Sequence, residues 1–445
     1  MNRTLQAAAC CALAALVLAA CGQRTALPPS ATEGPDPQLV DPVHGLVPPI
    51  KIARPIGWQE NQTPQAAADL KATAFARGLE HPRWLYVLPN GDVLVAESNG
   101  KPEPVKRPKD LVMRMVLKAA GAGVPSPNRI TLLRDADGDG VAEFRSVFLS
   151  GLNSPFGMTL VGRDLYVANT DAVVRYPYNG GETRITAAPV KVLDLPAGRI
   201  NHHWTKNVIA SRDGTRLYVT VGSNSNVGEN GMDVEVGRAA IWEVDRATGR
   251  SRIFASGLRN PNGMDFEPQT GVLWTVANER DEVGDDLAPD YLTSVRDGGF
   301  YGWPYSYWGR HVDTRVEPQR PDLVARAITP DYALGAHTGS LGLVFYTGSA
   351  LPARYRGGAF IGQHGSWNRS ELSGYRVLFV PFRGGRPSGQ PLVAVGGFVT
   401  PEGQARGRPV GVVVDRTGAL LVADDAGNVV WRVTAAAPAT RAAAG

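Results

Sequence analysis

Five of the seven histidines, His81, His202, His203, His337 and His364, stand in or beside turn-like stretches carrying glycine, proline, serine or asparagine. A neutral imidazole is suited to removing a proton near pH 7. Singly, each reads as a loop histidine satisfied by its surroundings; together they form a set of candidate bases. Arginines recur in similar stretches: Leu258-Arg259-Asn260-Pro261, Trp367-Asn368-Arg369 and Gly407-Arg408-Pro409. Their forked guanidiniums match carboxylates. A third constellation is acidic, running from Asn278 through Glu279, Arg280, Asp281, Glu282, Asp285 and Asp286 to Leu287. Its oxygens, main-chain carbonyls included, are of the kind that Ca2+ takes. Base, anion clamp and cation seat make a site only if the fold brings them together.

The elements that must position them repeat. A short β-run opened by a turn residue occurs six times, at residues 91–96, 163–168, 215–220, 271–276, 358–362 and 418–423. Each is rich in branched or aromatic residues, the chemistry of a strand. A second motif precedes most of them, as in Gly78-Leu79-Glu80-His81-Pro82, Gly151 to Gly157, Gly257 to Gly263 and the shorter Gly407-Arg408-Pro409-Val410-Gly411. Proline cannot donate to a ladder, so it fits a loop entering an inner strand, where glycine allows backbones to converge. No convincing helix of three turns appears; Leu111 to Ala120 is a short candidate. Six strand repeats predict an all-β, six-bladed β-propeller over residues 65–436, in preference to paired sandwiches or a β-helix. In a propeller the pre-strand loops gather at one mouth of the central channel.

The N-terminus reads as a lipoprotein signal. Arg3 precedes an apolar run from Leu5 to Ala20, ending Leu18-Ala19-Ala20-Cys21, a pattern for cleavage before an acylated cysteine. Residues 1–20 are then the signal peptide, Cys21 the lipidation site and 21–64 a Pro-rich tether. Gly22 after the cysteine fits sorting to an outer membrane, and residues 437–445 read as a disordered tail. Of three cysteines, Cys10 and Cys11 leave with the signal, which excludes a disulfide, a thiol catalyst and haem attachment. The net charge of +4 is small and mixed in sign, so nothing suggests nucleic acid.

The order of His202-His203-Trp204-Thr205, Leu258-Arg259-Asn260-Pro261, Asn278 to Leu287 and Gly298-Gly299-Phe300-Tyr301-Gly302-Trp303-Pro304 resembles the soluble sugar dehydrogenases dependent on pyrroloquinoline quinone (PQQ), especially the sorbosone dehydrogenase group. The likeness runs from about Ala74 to Val433. It implies oxidation of a sugar, sugar aldehyde or polyol, with PQQ and Ca2+ as cofactors. It implies that His202, four residues before Lys206, is the general base, with His203 as substitute if the register slips. Arg259 and Asn260 would contact the quinone, with Arg369, Arg408, His203 and His364 around it. Arg280 and Asp281 would give carbonyls to Ca2+, with the Asp285 carboxylate nearby. Electrons would pass to a respiratory-chain acceptor from a lipid-anchored, periplasm-facing enzyme.

Three departures bear on this. Val410 stands where relatives often carry a second arginine, Glu279-Arg280-Asp281 replaces smaller residues, and His364 to Arg369 replaces a lysine-bearing stretch. A non-catalytic propeller binding saccharide or a protein partner is the alternative, and lactone hydrolysis would need an axial carboxylate and Asn set that cannot be assembled here. The stretch Tyr301 to Trp308 reads as a packed inter-blade corner in preference to a stacking platform. Finally, Asp135, Asp137, Asp139 and Glu143 fall at positions 1, 3, 5 and 9 of a Ca2+-like loop with glycine at 6. Position 12 is Ser146 and no helix pair flanks it, so a structural Ca2+ turn and a plain hairpin both stay open.

Overall fold

The computed structural model describes residues 27–45, 49–102, 104–105 and 108–437. The expected signal peptide 1–20, the lipidation site Cys21 and the tail from 438 onward lie outside the described residues. Six sheets form the body, antiparallel throughout except where Gly299–Phe300 adds in parallel to the outer strand Ser251–Ser256 of the third. Their inner strands are Pro82–Val87, Met158–Val161, Val208–Ala210, Asn260–Phe266, Ser340–Phe345 and Pro409–Val414, which define blades 1 to 6. Each inner strand touches the next, and the sixth touches the first, so the ring closes. Closure is by exchange of chain ends: Leu70–Arg77 pairs along Val429–Ala435 and completes blade 6. The expected six-bladed propeller is therefore what the chain forms.

All six repeated β-runs are the second strands of their blades, for example Val93–Glu97 and Leu420–Asp424, and these two are buried throughout. A second strand is sandwiched between neighbouring blades on both faces, which selects continuous apolar sequence over alternation. Outer strands are different: Val190–Asp194 is largely exposed. The inner-strand glycines serve convergence, since a Cβ on Gly263 would lie 2.6 Å from the Leu343 nitrogen and one on Gly411 2.9 Å from the Arg83 carbonyl.

Strand direction sorts the loops. Inner strands begin at one end, the mouth, so the loops joining second to third strands return to the mouth. The pairings Pro82↔Glu97, Asn260↔Asn278 and Pro409↔Asp424 fix this. The acidic loop between Asn278 and Pro289 is a mouth loop, as is the segment carrying the helix Pro108–Ala119. The Asp135–Glu143 hairpin joins third to fourth strands and belongs to the opposite end.

The segment expected to act as a tether lies against the propeller along its described length. Glu33–Gly34 pairs with Tyr332–Ala336, Val43 donates to Val283, and Trp58 Nε1 donates to Asp424 at 2.7 Å. Proline-rich chain needs few hydrogen bonds of its own, and here it takes them from the blades. The Tyr301–Trp308 stretch is the expected packed corner, wedged between blades 3 and 4, with Tyr301, Trp303, Tyr307 and Trp308 all buried.

Candidate functional site

The mouth gathers two groups of polar side chains. The first stands on blades 3 and 4. His203 leads into the inner strand of blade 3, and its Nδ1 lies 3.0 Å from the Ser223 carbonyl, on the following mouth loop. A carbonyl only accepts, so Nδ1 carries the proton and Nε2 keeps its lone pair. Burial holds this imidazole well below its ordinary pKa, and the charge of Arg259 deepens the effect, so the ring is neutral. Gly222 makes the approach possible: a Cβ there would lie 2.5 Å from both Asn260 Oδ1 and His203 Cβ.

Arg259 opens the inner strand of blade 4 and is buried. It donates through Nη1 to the Glu279 carbonyl (2.6 Å), and through Nη2 to Asn226 Oδ1 (2.9 Å) and Asp281 Oδ2 (3.1 Å). Asp281 also meets His337 Nδ1 at 3.2 Å. Burial pushes the Asp281 carboxyl upward, but His337 and Arg259 outweigh it and the pKa falls below the usual range. The Asp281 carbonyl accepts from Asn226 (3.1 Å) and Arg315 (3.0 Å). Beneath His203, the fully buried Lys206 donates to its carbonyl at 2.9 Å. Burial and then Arg238 hold that amine well below its ordinary pKa.

The second group stands on blades 5, 6 and 1. Asp425 pairs with Arg83 and with His364 Nε2 (2.8 Å), with His81 Nε2 at 3.7 Å. Burial raises the Asp425 carboxyl, but His364, His81 and Arg83 drive it well below its ordinary value. His364 is lowered to about 4, chiefly by burial. Arg83, His364, Asp425 and Arg408 line a cleft of about 710 Å³, walled by Trp204, Pro55 and the loop from Ala120 to Pro127. Trp204 faces the Arg83 guanidinium at 5.5 Å.

The sequence expectations divide accordingly. His203, Arg259, Asn260 and Asp281 come together, as do His364 and Arg408. His202 is exposed, with its ring edge-on to His203 at 4.7 Å, so the geometry of a held base belongs to the substitute and not to His202. The Arg280 side chain is interior, held by Glu279, Asp313 and two carbonyls, which fixes the loop from beneath. Asp285 is tied to Ser370, and Arg369 donates to the Asp285 carbonyl and to Asp286. Those two link blades 4 and 5 and differ in this from the expected cofactor and metal contacts. Asp135, Asp137, Asp139 and Glu143 do bring oxygens within 4.8 Å of one another, at the far end.

Sequence reasoning missed Arg83, Asp425, Asn226 and Arg315. Arg83 follows His81-Pro82 at the start of the inner strand of blade 1, and Asp425 directly follows the second strand of blade 6 as Glu279 follows that of blade 4. Repeat position was the available signal. Val410, the noted departure, is buried in the channel wall, and Arg83 places a second guanidinium beside Arg408 in its stead.

The guanidiniums of Arg83 and Arg408 suit a ligand with anionic groups, and Asn260 Oδ1 and Asp425 Oδ1 one that also donates. Among the described residues, Arg83 Nε, Arg408 Nε, Asn260 Oδ1 and Asp425 Oδ1 are buried with no hydrogen-bond partner, which costs free energy unless something fills the place. The Glu279 and Asp281 carbonyls and the Asp281 carboxylate are hard oxygen donors of the kind Ca2+ takes. Each accepts from Arg259, Asn226, Arg315 or His337, however, so Ca2+ would have to share or displace those contacts.

A family model described as TrAA12-like matches residues 114–290 and 323–436. An uncharacterised protein of Borreliella burgdorferi is 26% identical over 294 residues, 63% of this chain and 76% of that one. Among solved structures, the holo form of the pyranose dehydrogenase PQQ domain from Coprinopsis cinerea aligns with a TM-score of 0.68 at 19% identity, covering 86% of this chain and all of that one. The calcium structure of the Trichoderma reesei carbohydrate-active enzyme family AA12 gives 0.69 at 19% identity, covering 87% and 99%. At such identities the structural likeness speaks for the fold.

Proposed function

The chain belongs to the TrAA12-like family, and on that premise we propose that it is a PQQ- and Ca2+-dependent oxidoreductase of a sugar, sugar aldehyde such as sorbosone, or polyol. The observation that carries the reading is His203: a neutral imidazole with a fixed tautomer, beside a buried arginine, at the mouth of a quinoprotein-like propeller. The names of the aligned structures, a PQQ domain and a calcium form, support the cofactors.

PQQ, when bound, supplies an acceptor for a hydride equivalent from a carbinol carbon. His203 Nε2 takes the hydroxyl proton, while the Ser223 carbonyl holds Nδ1–H and keeps the ring in place. Arg83 and Arg408 would hold carboxylates of the cofactor with forked geometry. Arg259 places positive charge where negative charge develops. The Glu279 and Asp281 carbonyls and the Asp281 carboxylate would hold Ca2+. This keeps the Asp281 carbonyl of the sequence expectation and adds the Glu279 carbonyl and the Asp281 carboxylate to the Arg280 carbonyl and Asp285 named there. Trp204 and Pro55 narrow the cleft against water.

The same reading keeps Cys21 as a lipid anchor, a periplasm-facing site and a respiratory-chain acceptor. It keeps the Asp135–Glu143 hairpin as a structural Ca2+ turn. The test is to add PQQ and Ca2+ to the purified protein and follow dye reduction with aldoses, sorbosone and polyols. His203→Ala should abolish turnover with PQQ still bound, and His202→Ala should retain it. Failure to bind PQQ at all, read by its absorbance after gel filtration, would leave the saccharide- or protein-binding propeller as the answer.

A further inference from the structure

The helix Pro108–Ala119 carries three large apolar side chains outward: Leu111 is 52%, Met115 58% and Leu117 46% exposed. Val105 before it and Val124 after it are exposed as well. Leu111 and Met115 are one turn apart and share a face with Lys118, with Arg114 alongside; both basic residues are exposed. From Lys101 to Lys118 the sequence holds six basic residues, Lys101, Lys106, Arg107, Lys109, Arg114 and Lys118, against Glu103 and Asp110. That excess of four equals the net charge of the whole chain, so the chain's positive character is concentrated on one stretch.

We propose that this helix docks the mouth of the propeller on an anionic lipid surface. Apolar side chains with basic neighbours on one helix face suit the interface of a bilayer, where lysine and arginine stems lie along apolar surface and their charges meet headgroups. Chain length points to the same occupant. Leu27, the first described residue, donates to Asp286 at 3.1 Å, on the acidic mouth loop. Cys21 precedes it by six residues, which span at most about 20 Å. An acyl chain on Cys21, as proposed above, therefore holds the mouth and not the far end near the bilayer. The arm lying against the blades is what makes this orientation definite, because a free tether of forty residues would allow any. The helix's own lipid affinity does not depend on that acylation or on the redox reading.

The test uses the mature chain produced without its signal, hence unacylated, in sedimentation with vesicles of equal parts phosphatidylcholine and phosphatidylglycerol. We expect binding to these, much weaker binding to phosphatidylcholine alone, and release by salt. Leu111→Ser/Met115→Ser/Leu117→Ser and Arg114→Glu/Lys118→Glu should each weaken binding by about tenfold or more, with the thermal midpoint unchanged. Val190→Ser/Val393→Ser, on outer strands of blades 2 and 5, should leave it as it was. No binding to the anionic vesicles, unaltered binding by both helix variants, or equal loss in the outer-strand variant would overturn the proposal.

Discussion

At the far end of the propeller, Asp213 accepts from the Thr215 amide and from the hydroxyls of Ser211 and Thr215. Asp245 does the same for Ala247 and Thr248. Asp213 is exposed and Asp245 half-buried, and their carboxyls are lowered to about 2, Asp213 first by Ser211 and Asp245 first by the Thr248 amide. At the mouth, carboxylates of the same type are buried. Asp281 and Asp425 are held charged by arginine and histidine, whereas burial pushes Asp290 up to about 6. The far end uses its carboxylates to close short turns with local partners. The mouth buries groups from five blades and, among the described residues, still leaves Arg83 Nε, Arg408 Nε and Asn260 Oδ1 unsatisfied. A fold tolerates such a concentration of desolvated polar groups where a ligand completes it. Substitutions should therefore divide by end: function and large stability effects at the mouth, small local stability effects at the other.

The largest expected effect is on turnover. His203→Ala should lower kcat by about 10²–10⁴-fold, with little change in denaturant midpoint, because among the described residues its ring bonds only to the Ser223 carbonyl and hydroxyl. Steady-state dye reduction checks the first part and urea unfolding the second. A loss as large in His202→Ala would remove the distinction between the two rings. Next comes Asp425→Ala, which strips the counter-charge from buried Arg83. It should destabilise by about 3–5 kcal/mol, as removal of one member of a buried pair does, and calorimetry would register it as a lower Tm. A mouth that unfolds no more readily in this variant would mean that its charges are solvated after all.

The two ends also differ in how legible they were. Second strands stood out because both faces are buried, as in Val93–Glu97. Outer strands such as Val190–Asp194 carried no comparable pattern, being exposed. The blade count was thus readable from one strand in four. The packed arm was not: Trp58, Ala53 and Val43 each dock singly, on Asp424, Arg408 and Val283, so no periodicity announces them. Arg259 and His203 were found because they sit in repeated pre-strand loops. Asp425 was missed because Asp424-Asp425-Ala426-Gly427 looks like any solvated turn, and only its partners from blades 1 and 5 mark it.

A smaller and pH-dependent effect sharpens the contrast. His203 and His364 are neutral in the fold, burial being the first cause for each, and His364 is lowered to about 4. In the unfolded chain both take a proton near pH 6.5. Below that pH the unfolded state binds more protons at these two rings, so their contribution to stability falls as pH drops from 6.5 towards 4. Asp265, Asp290 and Asp424, each raised to about 6 by burial, act the other way over the same window. The readout is therefore the difference: from pH 6.5 to 4 the urea midpoint of His364→Gln should fall less, or rise more, than that of the parent. The neutral state of His203 likewise predicts that kcat/KM stays level through pH 6.5, with its acid limb well below. An acid limb at 6.5 itself would show a solvated base.

The smallest effect tests the far end. Asp415 accepts from the Thr417 amide at 2.8 Å, the Ala419 amide at 2.9 Å and Arg432 Nε at 3.2 Å, closing the turn after the inner strand of blade 6. The Asp415 side chain is only 11% exposed and Ala419 is buried, so Asp415→Ala leaves the Ala419 amide and the Arg432 guanidinium short of a partner, and the loss should be about 1–3 kcal/mol. Those hydrogen-bond donors all belong to the sixth blade, and the mouth end of the same strand is anchored separately, through the Arg408 amide on Asp424 at 2.7 Å. Turnover and PQQ affinity should therefore be unchanged while the denaturant midpoint falls. If this turn variant instead lowered turnover in proportion to Asp425→Ala, strain would be passing down the strand from one end to the other. The mouth would then not be an independently held site, and the division between the two ends would be one of solvent exposure alone.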